Sequence, residues 1–379
     1  MVNPAKDYQG RGAYRDPRIC RAILEEIKKT SRREVRLMEV CGTHTTSIFR
    51  SGIRSMIPDS ISLLSGPGCP VCVTTRSEID VFIRLSGMED LVLVTFGDLM
   101  RVPGSESSLS KERAKGRDIR IVFSPLDALA IAEQNPSKKI VFLGIGFETT
   151  APSVAASMMS AKSMGIENYF VFSAHRRIPP ALFALMQNRA ARVDGFILPG
   201  HVSVIIGQSA YVSFFEGFKT PCVIAGFEPA DILLAILTLA EQLESNHPAL
   251  VNIYSRAVSF HGNQKAKGVM EEVFEPLDVR WRGLGKIPES GLKIRESYAS
   301  FDAERAFDIT LPDSEERETC ACGDILAGIK APPECPLFKK PCTPFDPLGP
   351  CMVSSEGACS VYYRYHQDMR NLPSGGGAA

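Results

Sequence analysis

No sign of charge predominates in this chain: Lys plus Arg total 43, and Asp plus Glu also total 43. A nucleic acid or an acidic membrane surface normally selects a basic footprint, so neither is expected as a partner. Long hydrophobic runs are missing too. The longest, Ile232 to Ala240 between Asp231 and Glu241, falls far short of the ~20 residues that span a bilayer. The N-terminal Met1-Val2-Asn3-Pro4-Ala5-Lys6-Asp7 has no apolar core of a secretory signal. A cytoplasmic location is therefore expected, where thiols stay reduced and clustered cysteines usually bind metal or do chemistry. Tryptophan is nearly absent, with one residue.

Cysteine is abundant, with 11 residues. Cys20 falls on an amphipathic helix expected at 20–29 and reads as a small apolar residue there. From Glu34 onward, short apolar runs alternate with helical ones. Strands are expected at 35–40, 61–64, 91–96, 119–123, 139–143, 169–173, 195–198 and 222–225. Helices are expected at 45–56, 75–86, 126–134, 151–164, 179–188 and 229–244. Short strands without polar alternation indicate parallel sheets covered on both faces. The fold class is therefore α/β: two doubly wound parallel-sheet, Rossmann-like domains, then a Cys-rich iron–sulfur C-terminal domain.

The expected division is an N-terminal arm and helix (1–33), a first α/β domain (34–135), a second (136–244), and a C-terminal domain (245–379). The break between the sheets is placed at Asn135-Pro136-Ser137. A loose tail ends the chain at Ser374-Gly375-Gly376-Gly377-Ala378-Ala379. Beyond about Ser245 the periodicity fades, and residues 281–291 are Gly-rich.

Two motifs occupy loops after strands, where open α/β sheets place their sites. One is Cys41-Gly42-Thr43-His44. The positive end of the following helix is expected to lower the Cys41 pKa. The other is Gly66-Pro67-Gly68-Cys69-Pro70-Val71-Cys72, a tight turn followed by a dithiol of redox spacing. Thr75 and Glu78 form a capping-box pattern after it. Three thiols and an imidazole suggest thiol redox chemistry, soft-metal binding, or both. His44 reads as a metal ligand, a proton donor, or a loop residue bonded to backbone. Glu148 and His201 sit at two further strand ends, as do Asp98 and Arg101, whose plain alternative is an exposed ion pair.

Six cysteines crowd the last part of the chain: Cys320, Cys322, Cys335, Cys342, Cys351 and Cys359. The surrounding Pro-rich segment cannot build much of a hydrocarbon core and needs a cross-link or metal. It lacks the paired C-x-x-C knuckles of a structural zinc site. Four thiolates from an irregular loop suit an iron–sulfur cluster, leaving two over for a dithiol beside it. Plain disulfides and zinc remain the alternatives.

With these pieces assembled, the chain resembles the HypD family of hydrogenase maturation proteins. The resemblance rests on Cys41-Gly-Thr-His44, Gly66-Pro-Gly-Cys-Pro-Val-Cys72, Thr95-Phe-Gly-Asp98, Gly146-Phe-Glu-Thr-Thr150, Pro199-Gly-His-Val202 and Ala225-Gly-Phe-Glu-Pro229. It continues through Cys335-Pro-Leu-Phe338 and Met352-Val-Ser-Ser-Glu-Gly-Ala-Cys359. It implies a scaffold on which a transient iron receives cyanide and carbon monoxide before transfer to the large subunit of a [NiFe]-hydrogenase. The implied partners are a small HypC-type chaperone, which shares the iron and delivers it, and a HypE-type cyanide donor.

By the same resemblance, Cys41 is the iron thiolate, His44 belongs to that site, and Cys69 and Cys72 are the redox dithiol. Glu148 and His201 fall on motifs at the cleft. The tail implies a [4Fe–4S] cluster held by Cys320, Cys335, Cys342 and Cys359, with Cys322 and Cys351 as the neighbouring pair. Cys320 and Cys322 are interchangeable in this assignment. A competing function is a plain thiol–disulfide reductase acting on another protein, which has no need of Cys41 or His44. A zinc-stabilised adaptor, with a purely structural tail, is a third.

Overall fold

A computed structural model describes residues 13–188, 190–311 and 320–366. The first part of the expected N-terminal arm and the expected loose tail at 374–379 lie outside the described residues. Within them the chain forms β1 (Val35–Glu39), β2 (Ile61–Ser65), β3 (Leu91–Thr95), β4 (Ile119–Ile121), β5 (Lys139–Gly146), β6 (Tyr169–His175), β7 (Gly195–Pro199), β8 (Cys222–Ala225) and β9 (Leu250–Asn252). Eight of these match expected strands. The apolar runs that marked them are buried on both sides: every residue of β3 and of β7 is buried.

The strands sort into two parallel sheets, ordered β2-β1-β7-β8-β9 and β4-β3-β5-β6. This corrects the expected division at Asn135. β1 lies between β2 and β7, with Met38 opposite Phe196, so the first sheet draws strands from both sides of residue 135. β3 pairs with β5 across that same point, Leu93 opposite Val141. The chain leaves the first sheet after β2, builds the whole second sheet, and returns at β7. A parallel crossover through a helix can deliver the next strand to any neighbour, so an apolar run announces a strand without naming its partner.

The helix Pro17–Thr30 lays Ile23 and Ile27 into the core of the first sheet and packs on the helix Pro229–Ser245. Cys20 packs partly buried at the edge of that core, as its helix pattern suggests. The helix expected over 45–56 is two: Gly42–Arg50 and Ile53–Met56, parted at Gly52, whose φ of +70° turns the chain out of the helix.

Past residue 245 the sequence pattern concealed an antiparallel hairpin, β10 (Phe274–Trp281) and β11 (Gly285–Ile294), with a register shift between Leu277 and Val279. It lies along the open side of β6, touching at Arg176 and Gly291. Trp281 is fully buried within it, donating its indole N–H to Ser290 Oγ at 2.8 Å. The Cys-rich segment folds over the carboxyl ends of both sheets. Its helix Pro350–Val353 packs on Pro70–Val73, and its helix Ala358–Tyr365 on Gly42–Arg50.

Candidate functional site

Cys41 follows β1 and stands at the N-cap of Gly42–Arg50. The Gly66-Pro67-Gly68 turn after β2 lies directly on it: Gly66 N–H donates to Glu39 O at 2.8 Å, and Gly42 N–H to Gly68 O at 3.1 Å. A side chain at Gly68 would put its Cβ 2.2 Å from the Cys41 nitrogen and 2.4 Å from its Cα. Only glycine permits that approach. Gly68→Ala is therefore expected to cost on the order of 1–3 kcal/mol, because the clash is with backbone rather than a flexible side-chain end. Thermal denaturation checks it, with Gly268→Ala as control: Gly268 lies on the helix Gln264–Val273 with open space around it, so that change should be neutral or stabilising.

The turn delivers Cys69 to the N-cap of the short helix Pro70–Val73, where its sulfur accepts the Cys72 N–H at 3.3 Å. Cys69 and Cys72 are joined as a disulfide, both buried.

Cys41 opens onto a cleft of about 660 Å³ between the carboxyl ends of the two sheets. Gly68, Pro70 and Val71 line it beside Cys41. Asp98, Phe147, Thr150 and His201 face them, and Glu356 enters from the Cys-rich segment. Thr43 donates its hydroxyl to Glu356 at 2.6 Å, closing one side.

The expected lowering of the Cys41 pKa is not what the environment produces. The backbone amides of His44 and Thr43 do favour the thiolate, as a helix N-terminus should. Burial outweighs them, and the Glu356 and Glu39 carboxylates push the same way, so the thiol is pushed up to about 12. A soft cation entering the cleft would have to displace that proton.

His44 is fully buried and does not line the cleft. Its Nε2 donates to Gly226 O at 2.8 Å, while Nδ1 has no hydrogen-bond partner. Burial holds its pKa down at about 4, so the ring is neutral, with Nδ1 as its bare lone pair. His201 is exposed on the cleft wall. Phe227 lies between the two imidazoles, stacked on His201 at 4.0 Å and 4.6 Å from His44.

Glu148 is the clearest correction among the site residues. The neighbouring Phe147 and Thr149 line the Cys41 cleft, but Glu148 turns away into a separate cavity of about 830 Å³ with Arg177, Phe183 and Ile206. Its Oε1 accepts the Ile178 N–H at 2.9 Å, and Oε2 has no hydrogen-bond partner. Burial pushes its pKa up to about 7. Successive residues at a strand end face opposite ways, and motif position alone does not say which face a residue takes. Arg101 donates to Pro344 O at 2.9 Å, bonding backbone of the Cys-rich segment.

All six tail cysteines line one small pocket, together with Ile325, Phe338 and Met352. Cys322 and Cys351 bring their sulfurs to 2.9 Å, and Cys342 Sγ accepts the Leu348 N–H at 3.4 Å. Among the described residues, no three His, Cys, Asp or Glu side chains are arranged to hold a single metal ion. The sulfurs instead ring an apolar space, a donor set that suits a thiolate-bound iron–sulfur cluster. Because Pro350–Val353 packs on Pro70–Val73, this pocket and the Cys69–Cys72 disulfide share one core.

A family model named HypD, described as the hydrogenase formation hypA family, matches residues 18–366. The chain belongs to the HypD family. It is 45% identical to the hydrogenase maturation factor HypD2 of Bradyrhizobium diazoefficiens, over 94% of this chain and 98% of that protein. It is 44% identical to the hydrogenase maturation factor HypD of Rhodobacter capsulatus, over 93% and 97% respectively. A putative hydrogenase expression/formation protein of Methanocaldococcus jannaschii is 42% identical over 93% of this chain and 98% of that protein. Among the described residues, no helix is long and apolar enough to cross a membrane.

Two carboxylates of this HypD-family site escaped sequence reasoning. Glu356 sits inside a motif that carried the resemblance but was not singled out. Glu39 is the last residue of β1, two before Cys41. It accepts the Cys41 N–H at 3.0 Å and the Thr45 hydroxyl, so it orients the start of the Cys41 helix. The available signal was an acid inside an otherwise buried strand, since buried carboxylates are rare without a task.

Burial pushes the Glu39 pKa from its ordinary 4.5 to about 8. The folded chain thus holds that proton more tightly than the unfolded chain, and stability falls as pH rises from 4.5 through 8. Glu148 acts in the same direction up to about 7. His44 and His175, lowered to about 4 and about 3, act oppositely and only below 6.5. Between pH 7 and 8 the chain is expected to lose on the order of 1 kcal/mol, and Glu39→Gln to flatten most of that slope. Denaturant titrations at a series of pH values check both.

Proposed function

We propose that the chain is a hydrogenase maturation factor, a redox-active scaffold on which an iron ion acquires cyanide and carbon monoxide before passing to a [NiFe]-hydrogenase large subunit. One observation carries the reading: a lone thiol, Cys41, opens onto a cleft while the Cys69–Cys72 disulfide sits in the turn pressed against its backbone. Cyanide and carbon monoxide stabilise low-valent iron, and a thiolate suits such a centre. The iron is cargo. Cys41 would hold it once the thiol proton leaves, with His201 and Glu356 on the same walls to accept that proton or orient a ligand.

His44 sits behind the cleft, and its bare Nδ1 keeps it a ligand candidate from below. Reducing the Cys69–Cys72 disulfide takes two electrons and two protons and releases two thiols beside Cys41, changing the sulfur available to the iron. In the tail, Cys320, Cys335, Cys342 and Cys359 would hold a [4Fe–4S] cluster, which supplies one-electron chemistry when bound. Cys322 and Cys351 would form the adjoining dithiol. The cleft mouth would receive a HypC-type chaperone and a HypE-type cyanide donor, in the cytoplasm.

The competing reductase needs a thiolate, released by reduction of Cys69–Cys72, that can reach and attack the disulfide of a protein substrate. Both Cys69 and Cys72 are buried, at 4% and 0% exposure, which disfavours it. Anaerobic co-production with the maturation partners tests the proposal. Nitrile and carbonyl stretching bands are expected in the infrared, with about four irons and acid-labile sulfide per chain beyond the cleft iron. A colourless, zinc-loaded protein without those bands would support the adaptor instead.

A further inference from the structure

The cavity that takes Glu148 is larger than the Cys41 cleft, at about 830 Å³ against about 660 Å³. It opens where the helix Ile178–Gln187, the helix Gln264–Val273 and the β10–β11 hairpin meet without filling the space between them. Small-molecule sites have volumes in this range. Phe183, Ile206, Met270 and Leu284 give it an apolar wall.

Three charged or titratable side chains stand inside the rim. Glu148 is 2% exposed, with Oε1 taking the Ile178 N–H at 2.9 Å and Oε2 left without a partner. A buried polar atom in that state is rare and costs free energy until something bonds it. The bond to Ile178 brings the carboxyl beside Arg177, the residue before it. Half-buried Arg177 donates Nη1 to Glu289 O at 2.8 Å, and no carboxylate pairs with its guanidinium among the described residues. Lys267, also half-buried, has no ion-pair partner among them either. Lys286, Glu271 and Glu289 lie farther out and are exposed. Burial raises the Glu148 pKa, so near neutral pH its carboxyl can present an O–H instead of neutralising these cations.

We propose that this cavity binds a small organic carboxylate with an apolar body. The ligand carboxylate takes the open edge of Arg177 and the Lys267 ammonium, Glu148 Oε2 donates to it, and the body lies on Phe183 and Leu284. A planar carboxylate matches the guanidinium fork. A phosphate monoester, with nearly two charges at neutral pH, would press the second against Glu148. An ammonium would face two cations. The inference goes beyond the iron reading and does not rest on it. Glu148 stands between Phe147 and Thr149, which line the cleft, so the bound acid would sit one residue from the cleft wall.

Fluorine NMR of 4-fluorophenylacetate titrated with the full-length chain tests it. A dissociation constant of about 1 mM is expected for a ligand of that size. Arg177→Gln should weaken binding about tenfold and Lys267→Gln severalfold. His201→Asn, on the cleft wall, should leave the constant unchanged, because the cleft is a separate space. Acetate, read by competition, should bind at least about tenfold more weakly for want of a body. Phenethylamine and phenyl phosphate should also compete less well than the acid.

No binding up to about 10 mM overturns the proposal. So does an affinity indifferent to Arg177→Gln, a loss on His201→Asn, or tighter binding of the amine or the phosphate. Should Arg177→Gln fail to fold by circular dichroism, Lys267→Glu replaces it. That change reverses a charge at a half-exposed helix position, and an unaltered constant there is equally fatal. None of these measurements reads iron, so failure here leaves the infrared test of the Cys41 site standing.

Discussion

Cys41→Ala is expected to abolish the nitrile and carbonyl infrared bands of chain co-produced with its maturation partners, together with hydrogenase maturation in cells that depend on it. The effect should be total, because Cys41 is the one cysteine among the described residues lining the cleft, and thiols released from the buried Cys69–Cys72 pair lie behind that lining and would modulate the iron site without replacing Cys41. Stability should change little. The substitution removes one sulfur at a cleft wall, on the order of 1 kcal/mol, and the Gly68 contact is with Cys41 backbone, which alanine retains. Cys41→Ser should fail likewise, since a hydroxyl is a poor ligand for soft, low-valent iron. Bands that persist in the alanine variant, at unchanged intensity per chain, would move the iron to another ligand and end the cleft reading.

The largest stability loss is expected from Arg176→Met. Arg176 follows β6, is 2% exposed, and lays one nitrogen against both Glu78 oxygens at 2.8 and 2.7 Å. The same side chain donates to Ala174 O at 3.1 Å and to Arg280 O at 2.9 Å. Glu78 in turn accepts the Thr75 N–H and hydroxyl, both at 2.8 Å, and so sets the start of the helix that follows the Cys69–Cys72 turn. One ion pair thus ties the second sheet, the hairpin and the dithiol loop. Removing the cation strands a buried carboxylate, for which about 3–5 kcal/mol is typical. Urea denaturation measures it, and Arg176→Met with Glu78→Gln should recover part of the loss, since no uncompensated charge is then left. A loss below about 1 kcal/mol for the single change would mean water already reaches the pair.

The positions of the strands and of the site loops were legible because their causes are local. A run such as Leu91-Val-Leu-Val-Thr95 has no polar face, so it must be covered on both sides, and the residue after such a strand must enter a loop at its carboxyl end. Cys41 and His201 do line one opening, and Cys69 lies between two of its lining residues, Gly68 and Pro70. The gathering of the tail cysteines was legible for a different reason, since a Pro-rich segment with so little hydrocarbon has only its sulfurs to fold around.

The hairpin of Phe274–Ile294 was not legible, because its outward residues include Glu275, Pro276, Leu277 and Asp278, which break the alternation that marks a half-buried strand. Glu148 was placed at the right strand end and on the wrong side of it. The Cys41 thiol was judged by its helix, whereas its pKa answers chiefly to burial under groups far away in sequence, Glu356 among them.

By itself, then, the order of residues determined the α/β class, the loops that carry Cys41, Cys69 and Cys72, and membership of the HypD family. Tertiary structure alone decided that β1 pairs with β7 across the second sheet, that Glu148 faces its own cavity, and that the Arg282–Gly283 turn touches both Val73 and Gly323. Periodicity is a property of neighbours along the chain, while pairing, burial and electrostatic environment belong to neighbours in space, which the chain chooses only when the whole of it has packed.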